Sequence, residues 1–157
     1  MEVREFNNLV DEWSDRLFRF ALSVCKNADL AKDCVQEAYM RLWEKRHTVD
    51  SSRARSYLFT TVHHRLIDEF RRNAKVIDLP QNEVVFQPET GVQEALHRAL
   101  DTLPDVQRSV VLLRDYEGYS YEEIAEITGL SLSQVKVYIF RARKKLKEVI
   151  VRVDVLL

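Results

Sequence analysis

Apolar residues in the first half of the chain recur with the period of a helix. Phe6, Leu9, Val10, Trp13, Leu17, Phe20, Ala21 and Val24 fall at spacings that line one helical face. A second stripe, over about Asp29 to Lys45, predicts a helix that buries Leu30, Cys34, Ala38 and Leu42 with Trp43 at its edge. A third, over about Ser52 to Arg72, sets Ala54, Tyr57, Leu58, Thr61, Val62, Leu66 and Phe70 on one face. All three glycines and all three prolines lie between Pro80 and Gly129, so residues 1–79 contain no strong helix breaker and read as long helices. Phe59 and His63 fall beside the third stripe, with Arg71 and Arg72 at its end. Aromatic and basic side chains outside a core stripe suit stacking on unpaired bases; the competing reading puts Phe59 in the core and His63 in solvent.

The period breaks from Ala74 to Val92, where Pro80, Gln81, Asn82, Pro88 and Gly91 supply turn chemistry. This segment reads as a linker between two helical domains, with Val84, Val85 and Phe86 as apolar residues that would dock on one domain or lie in a partner's channel. Helical pattern resumes at Glu94 with Leu96, Ala99, Leu100 and Leu103. A further helix is expected from Pro104, in a first turn where no amide proton is needed, to Tyr116 through Val106, Val110 and Leu113. The sequence has no internal repeat and no low-complexity tract.

Two short helices with the same opening then follow. Ser120 precedes Glu123 by three, and Ser131 precedes Gln134 by three, each pair suited to a reciprocal capping box. Gly129 stands between them, where a helix ending near Thr128 calls for a residue tolerant of the left-handed region. This is a helix-turn-helix pattern. In the second helix Val135, Ile139, Ala142 and Leu146 form an inner stripe that packs on Ile124, Ala125 and Ile127. Ser133, Lys136, Val137, Phe140, Arg141, Arg143, Lys144 and Lys147 lie off it. From Ser131 to Lys147 there is no Asp or Glu, whereas a solvated helix surface interleaves acids with bases. A basic last turn also complements the helix dipole. The paired caps, the one-sided basic face and an outward Phe140 together point to phosphate and a DNA groove.

Charge narrows the picture further. The formal net charge is -1 over 157 residues, so the bases are local and only part of the surface meets nucleic acid. Cys25 and Cys34 stand inside helical patterns without a CxxC or a His pair at ligand spacing, and read as buried reduced thiols in a cytoplasmic protein. No signal peptide and no apolar run of ~18 residues predicts membrane insertion. Glycine-rich phosphate loops, HExxH and GxSxG are absent, so no catalytic residue, cofactor or metal is assigned and the chain does not read as an enzyme. His63 and His64 beside Asp68 do not assemble a site, because adjacent helical residues point to different faces and no further ligand joins them.

The pattern DxxQExYxxLW carried by Asp33, Gln36, Glu37, Tyr39, Leu42 and Trp43 is followed by the helix from Arg53 to Arg72. Leu103, Pro104, Arg108, Leu112, Leu113 and Arg114 come next, then Glu117, Gly118, Ser120, Tyr121, Glu123, Ile124 and Ala125. In this order and separation the blocks resemble a bacterial sigma-70 family RNA polymerase sigma factor of the extracytoplasmic-function group, over roughly Phe6 to Lys147. The resemblance implies an all-α protein of two small helical domains joined by a linker. A three-helix sigma region 2 would occupy residues 1–75, the linker 76–92, and a four-helix sigma region 4 with its helix-turn-helix 93–157.

The resemblance also implies roles. Asp33, Gln36, Glu37 and Arg41 would bind core RNA polymerase, and the loop from about Arg46 to Ser52 would capture an unpaired base of the promoter -10 element. Tyr57, Thr60, His63, His64, Arg71 and Arg72 would support melting and reading of that strand. Ser133, Lys136, Val137, Phe140, Arg141, Arg143 and Lys144 would meet the -35 element as duplex. His64 stands where the family commonly has Asn, so the family's -10 preference does not transfer. Val137 replaces a commoner Ser and would exchange a hydrogen bond for contact with a thymine methyl.

The function expected is therefore to bring core RNA polymerase to promoter DNA and assist melting, with an anti-sigma factor as a further partner. Two weaker readers joined by a linker would act together where both elements have the right separation. A stand-alone helix-turn-helix regulator is the alternative, and an all-helical adaptor without a nucleic-acid role is a third class.

Overall fold

A computed structural model describes residues 1–73 and 91–156, with side chains over 1–73 and 94–151. The described residues form helices and turns, with no strand among them. By contact the chain divides into two compact units, Met1–Val84 and Val85–Leu157. The expected linker, with Val84, Val85 and Phe86, lies outside the described residues except for its last positions.

In the first unit α1 (Val3–Cys25) ends where Lys26 takes the left-handed conformation, φ 56°, and returns its amide to the Leu22 carbonyl. Asn27 then caps α2 (Ala28–Glu44), its side chain accepting from the Leu30 amide at 3.1 Å. The turn between the two long helices is therefore minimal, and they pack on each other. A 3-10 turn over Ser51–Arg53, capped by Asp50, leads into α3 (Ala54–Asn73). The third helix packs on both others. Contact on two sides widens its buried surface beyond the expected stripe: Phe59 and His63 join Leu58, Thr61, Val62 and Leu66 in the interior. Phe59 meets Phe20 edge to face at 5.5 Å. The core is completed by Leu17, Ala21, Val24, Ala31, Cys34, Ala38 and Leu42.

The second unit contains α4 (Gly91–Asp101), α5 (Asp105–Val111), α6 (Tyr121–Thr128) and α7 (Leu132–Leu156). Pro104 sits at the N-cap of α5, one position ahead of the first turn expected for it. Arg108 is buried and ends α4, donating from Nε to the Leu100 carbonyl at 2.8 Å and from Nη2 to those of Asp101 and Leu103. The helix expected to continue to Tyr116 widens into a π-helical turn, Leu112–Tyr116, in which the Glu117 amide donates to the Leu112 carbonyl. Gly118, at φ 76°, then turns the chain into α6. Helices α4, α5 and α6 all pack on α7, around Ala99, Leu100, Val110, Leu113, Tyr119, Ile124, Ile127, Val135, Ile139 and Ala142.

Candidate nucleic-acid interface

Hydrogen bonds at both ends of the helix-turn-helix set its geometry. Ser120 Oγ accepts from the Glu123 amide at 3.1 Å, and Glu123 Oε1 accepts from the Ser120 amide at 3.0 Å. Ser131 and Gln134 repeat the exchange at 3.1 and 3.0 Å. Gly129 adopts φ 77° and returns its amide to the Ala125 carbonyl. With both helix starts and the intervening turn held this way, Val135, Ile139 and Ala142 are buried. Leu146 is only half-buried, so the expected inner stripe of α7 weakens beyond Ala142, and Ala125 on α6 is half-buried as well.

The opposite side of α7 is open. Ser133, Lys136, Val137, Phe140, Arg141, Arg143, Lys144 and Lys147 are all exposed. Phe140 has 69% of its surface accessible and Val137 44%. An aromatic ring so exposed among bases is spent surface in a solvated helix but contact surface in a groove. One acid does reach this side from another element: the Asp115 carboxylate, in the π-helical turn, accepts from Arg143 Nη2 at 2.6 Å and Nε at 3.1 Å. Asp115, through this hydrogen bond and its charge, raises the Arg143 pKa against the opposing effect of burial, with Tyr121 adding a smaller contribution in the same direction. Sequence reading missed this pair because its members are far apart in the chain.

On the first unit, Asp33, Gln36 and Arg41 lie exposed along α2. Glu37 is half-exposed and engaged: it pairs with Arg41 at 2.9 Å and, across to α3, with Arg65 at 2.9 Å. Arg65 bonds Glu69 in turn at 2.7 Å. Arg65 and Glu69 thus belong to the surface that α2 presents, although nothing in their own spacing pointed there.

The loop after α2 holds Arg46 with its guanidinium over the Trp43 ring, 4.1 Å from the centroid, while Nη1 donates to the Trp43 carbonyl at 2.7 Å. On α3, Tyr57 and Thr60 are half-buried, and the Thr60 hydroxyl donates to the Ser56 carbonyl. His64, Arg71 and Arg72 are exposed. His63 is not beside the core but in it, at 4% exposure, with Nδ1 buried and without a hydrogen-bond partner. Burial, and secondarily the neighbouring His64, push its pKa down to about 4, so the ring is neutral. The expectation that Phe59 and His63 lie outside the core stripe is corrected: α3 buries both because it is packed from two sides.

Cys25 and Cys34 are free and buried, and burial pushes the Cys34 thiol up to about 12. Among the described residues no helix is long and apolar enough to cross a membrane.

Comparison with known proteins places both units. Residues 9–76 match the family described as Sigma-70 region 2, and residues 93–146 match Sigma-70, region 4. The RNA polymerase sigma factor YlaC of Bacillus subtilis (strain 168) is 31% identical over 154 residues, covering 90% of this chain and 89% of that protein. The ECF RNA polymerase sigma factor SigM of the same organism is 29% identical over 140 residues, covering 83% and 86%. Among solved structures, the sigma factor RpoE in complex with the anti-sigma factor NepR from Bartonella quintana superposes with a TM-score of 0.81 at 25% identity, covering 94% of this chain and 97% of that one. With two region matches in the same chain and relatives aligned over most of its length, this chain belongs to the sigma-70 family of bacterial RNA polymerase sigma factors, in the extracytoplasmic-function group.

Proposed function

We propose that the two units share promoter recognition, residues 93–157 reading the upstream -35 element as duplex and residues 1–75 holding the melted -10 strand, joined by residues 76–92. As a sigma factor the protein directs core RNA polymerase to promoters and assists melting for transcription initiation; its relatives are not enzymes. What supports the division of labour is α7: an exposed, basic outer face with Phe140 at its centre, on a helix whose inner face is anchored by Val135, Ile139 and Ala142. In this reading Lys136, Val137 and Phe140 meet base edges, with Ser133 and Arg141 beside them. Arg143 and Lys144 meet backbone phosphate.

On the first unit, Asp33, Gln36, Glu37 and Arg41 face core polymerase. Arg46, Tyr57, Thr60, His64, Arg71 and Arg72 line the path of the melted strand. His63 acts from within, by supporting the α3 surface that carries His64. The RpoE relative was solved with an anti-sigma factor, and a protein inhibitor of that kind, covering one of these surfaces in the cytoplasm, is a further partner. Run-off transcription with core polymerase on a genomic promoter library tests the whole: initiation at a set of promoters sharing an upstream and a downstream element supports it. Duplex binding with no polymerase-dependent transcript would turn the reading to a stand-alone regulator.

A further inference from the structure

The acid-free stretch from Ser131 to Lys147 acquires a carboxylate by folding. Asp115 forms a side-on fork with Arg143, through Nε and Nη2, and both partners are partly exposed, at 40% and 47% of their side chains. The fork leaves the Nη1 edge of the guanidinium outside the pair. Asp115 is itself held by the turn that carries it. Leu112 and Leu113 on its N-terminal side are buried, the Tyr119 amide donates to the Leu113 carbonyl at 3.0 Å, and Arg114 donates to the Tyr119 carbonyl at 2.8 Å. Arg114 also stacks on Tyr121, 4.6 Å from the ring centroid.

A carboxylate at the margin of a phosphate-binding surface lowers the attraction of that surface for DNA, within a Debye length of about 10 Å. Exposed ion pairs add little to the stability of a fold, so stability alone is a weak reason for it to stand there. Geometry supplies a better one. Arginine is long and loses rotamer freedom when it docks, and a planar bidentate partner removes that freedom beforehand.

We propose that Asp115 is a positioning residue for upstream recognition: it holds the Arg143 guanidinium in one orientation with its Nη1 edge presented to a backbone phosphate beside the -35 element. This rests on the reading of α7 as the upstream reader. Asp115 thereby sets the register of α7 on the duplex without touching DNA, and its effect on binding has the opposite sign to its charge.

That sign is the test. The full chain is assembled with core polymerase, and binding is measured at two salt concentrations to a duplex carrying the preferred upstream element and to a scrambled duplex. Asp115→Asn is expected to weaken binding about threefold to tenfold on the preferred and the scrambled duplex alike, because it releases a long side chain that must then be ordered on a backbone phosphate common to both. Asp115→Glu recovers most of the loss. In an Arg143→Ala background the same Asp115→Asn change is expected to cause no loss and a slight tightening, because only the repulsion remains to be removed.

Other results overturn the proposal. If Asp115→Asn tightens both duplexes in the otherwise unaltered protein, the carboxylate is only a charge mask; if it weakens binding equally with and without Arg143, it acts through the fold. Lys136→Ala in the same assay separates this from the parent reading. Should Lys136→Ala keep full sequence preference, upstream reading by α7 fails and the proposal with it. Lost preference there beside an unchanged Asp115→Asn overturns the proposal alone.

Discussion

His63 lies on α3 with its ring edge-on to that of His64, centroids 6.1 Å apart, and with almost no accessible surface. Its pKa is held near 4 in the folded protein against an ordinary value of 6.5. A base whose folded pKa is depressed takes up its proton more readily when unfolded. The stability it leaves intact above pH 6.5 is therefore lost as pH falls from 6.5 towards 4. The loss is on the order of 3 kcal/mol in full, from the free energy carried by each pKa unit. Urea denaturation of wild type and His63→Leu at pH 7.5 and 5 checks this: the variant is expected to lose less stability on acidification. Equal losses in the two proteins would assign the acid sensitivity to other groups. At this scale the sequence was a poor guide, since His63 stands beside the stripe and only the packing of α1 and α2 on α3 shows that it is inside.

Local grammar was more legible in the elements. Both capping boxes, the left-handed Gly129 and the break between the two helices follow from hydrogen bonds within a few residues, and all are present. Ser120→Ala and Ser131→Ala are each expected to cost about 1 kcal/mol, the usual value of an N-cap serine. Thermal denaturation of the two variants measures it. Ser131→Ala should also weaken upstream duplex binding, because it frays the end of α7 from which Lys136 and Val137 project. A loss of binding with Ser120→Ala alone would mean that the first helix, not the second, governs the approach to DNA. The π-helical turn and the Arg108 seal on α4 were not legible. Each depends on a backbone group meeting a partner that helical periodicity does not specify.

For the whole molecule, assembly with polymerase and recognition of promoter DNA are separable by mutation. Gln36 is exposed, whereas Glu37 ties α2 to α3 through Arg65, so the two are unequal probes of the polymerase-facing surface. Gln36→Ala is expected to weaken competition for core polymerase with unchanged thermal stability. Glu37→Ala should weaken it too, with up to about 1 kcal/mol of stability lost, as for a partly exposed pair. If both variants compete as well as wild type, that face of α2 does not carry the contact. On DNA, Lys144→Ala should lower affinity for all upstream sequences and reduce the salt slope by roughly one. Lys136→Ala should cost about 1 to 3 kcal/mol on the preferred sequence and little on others. Selection from a randomised upstream library at two salt concentrations distinguishes them, and an exchange of the two behaviours would reverse the placement of α7 in the groove.

Helix number, the helix-turn-helix and the outward bases of α7 were determined by the sequence itself, because periodicity, caps and turn residues act over a few positions and leave a linear trace. Tertiary structure decided which polar groups are engaged. Glu37 with Arg65, Asp115 with Arg143, and the enclosure of His63 by three helices all join residues from different elements. Their energies depend on distance and burial, which arise only when the helices pack. The stretch from Ser131 to Lys147 shows both at once. Its lack of acids is a property of the sequence, and the carboxylate that meets it is supplied by the fold.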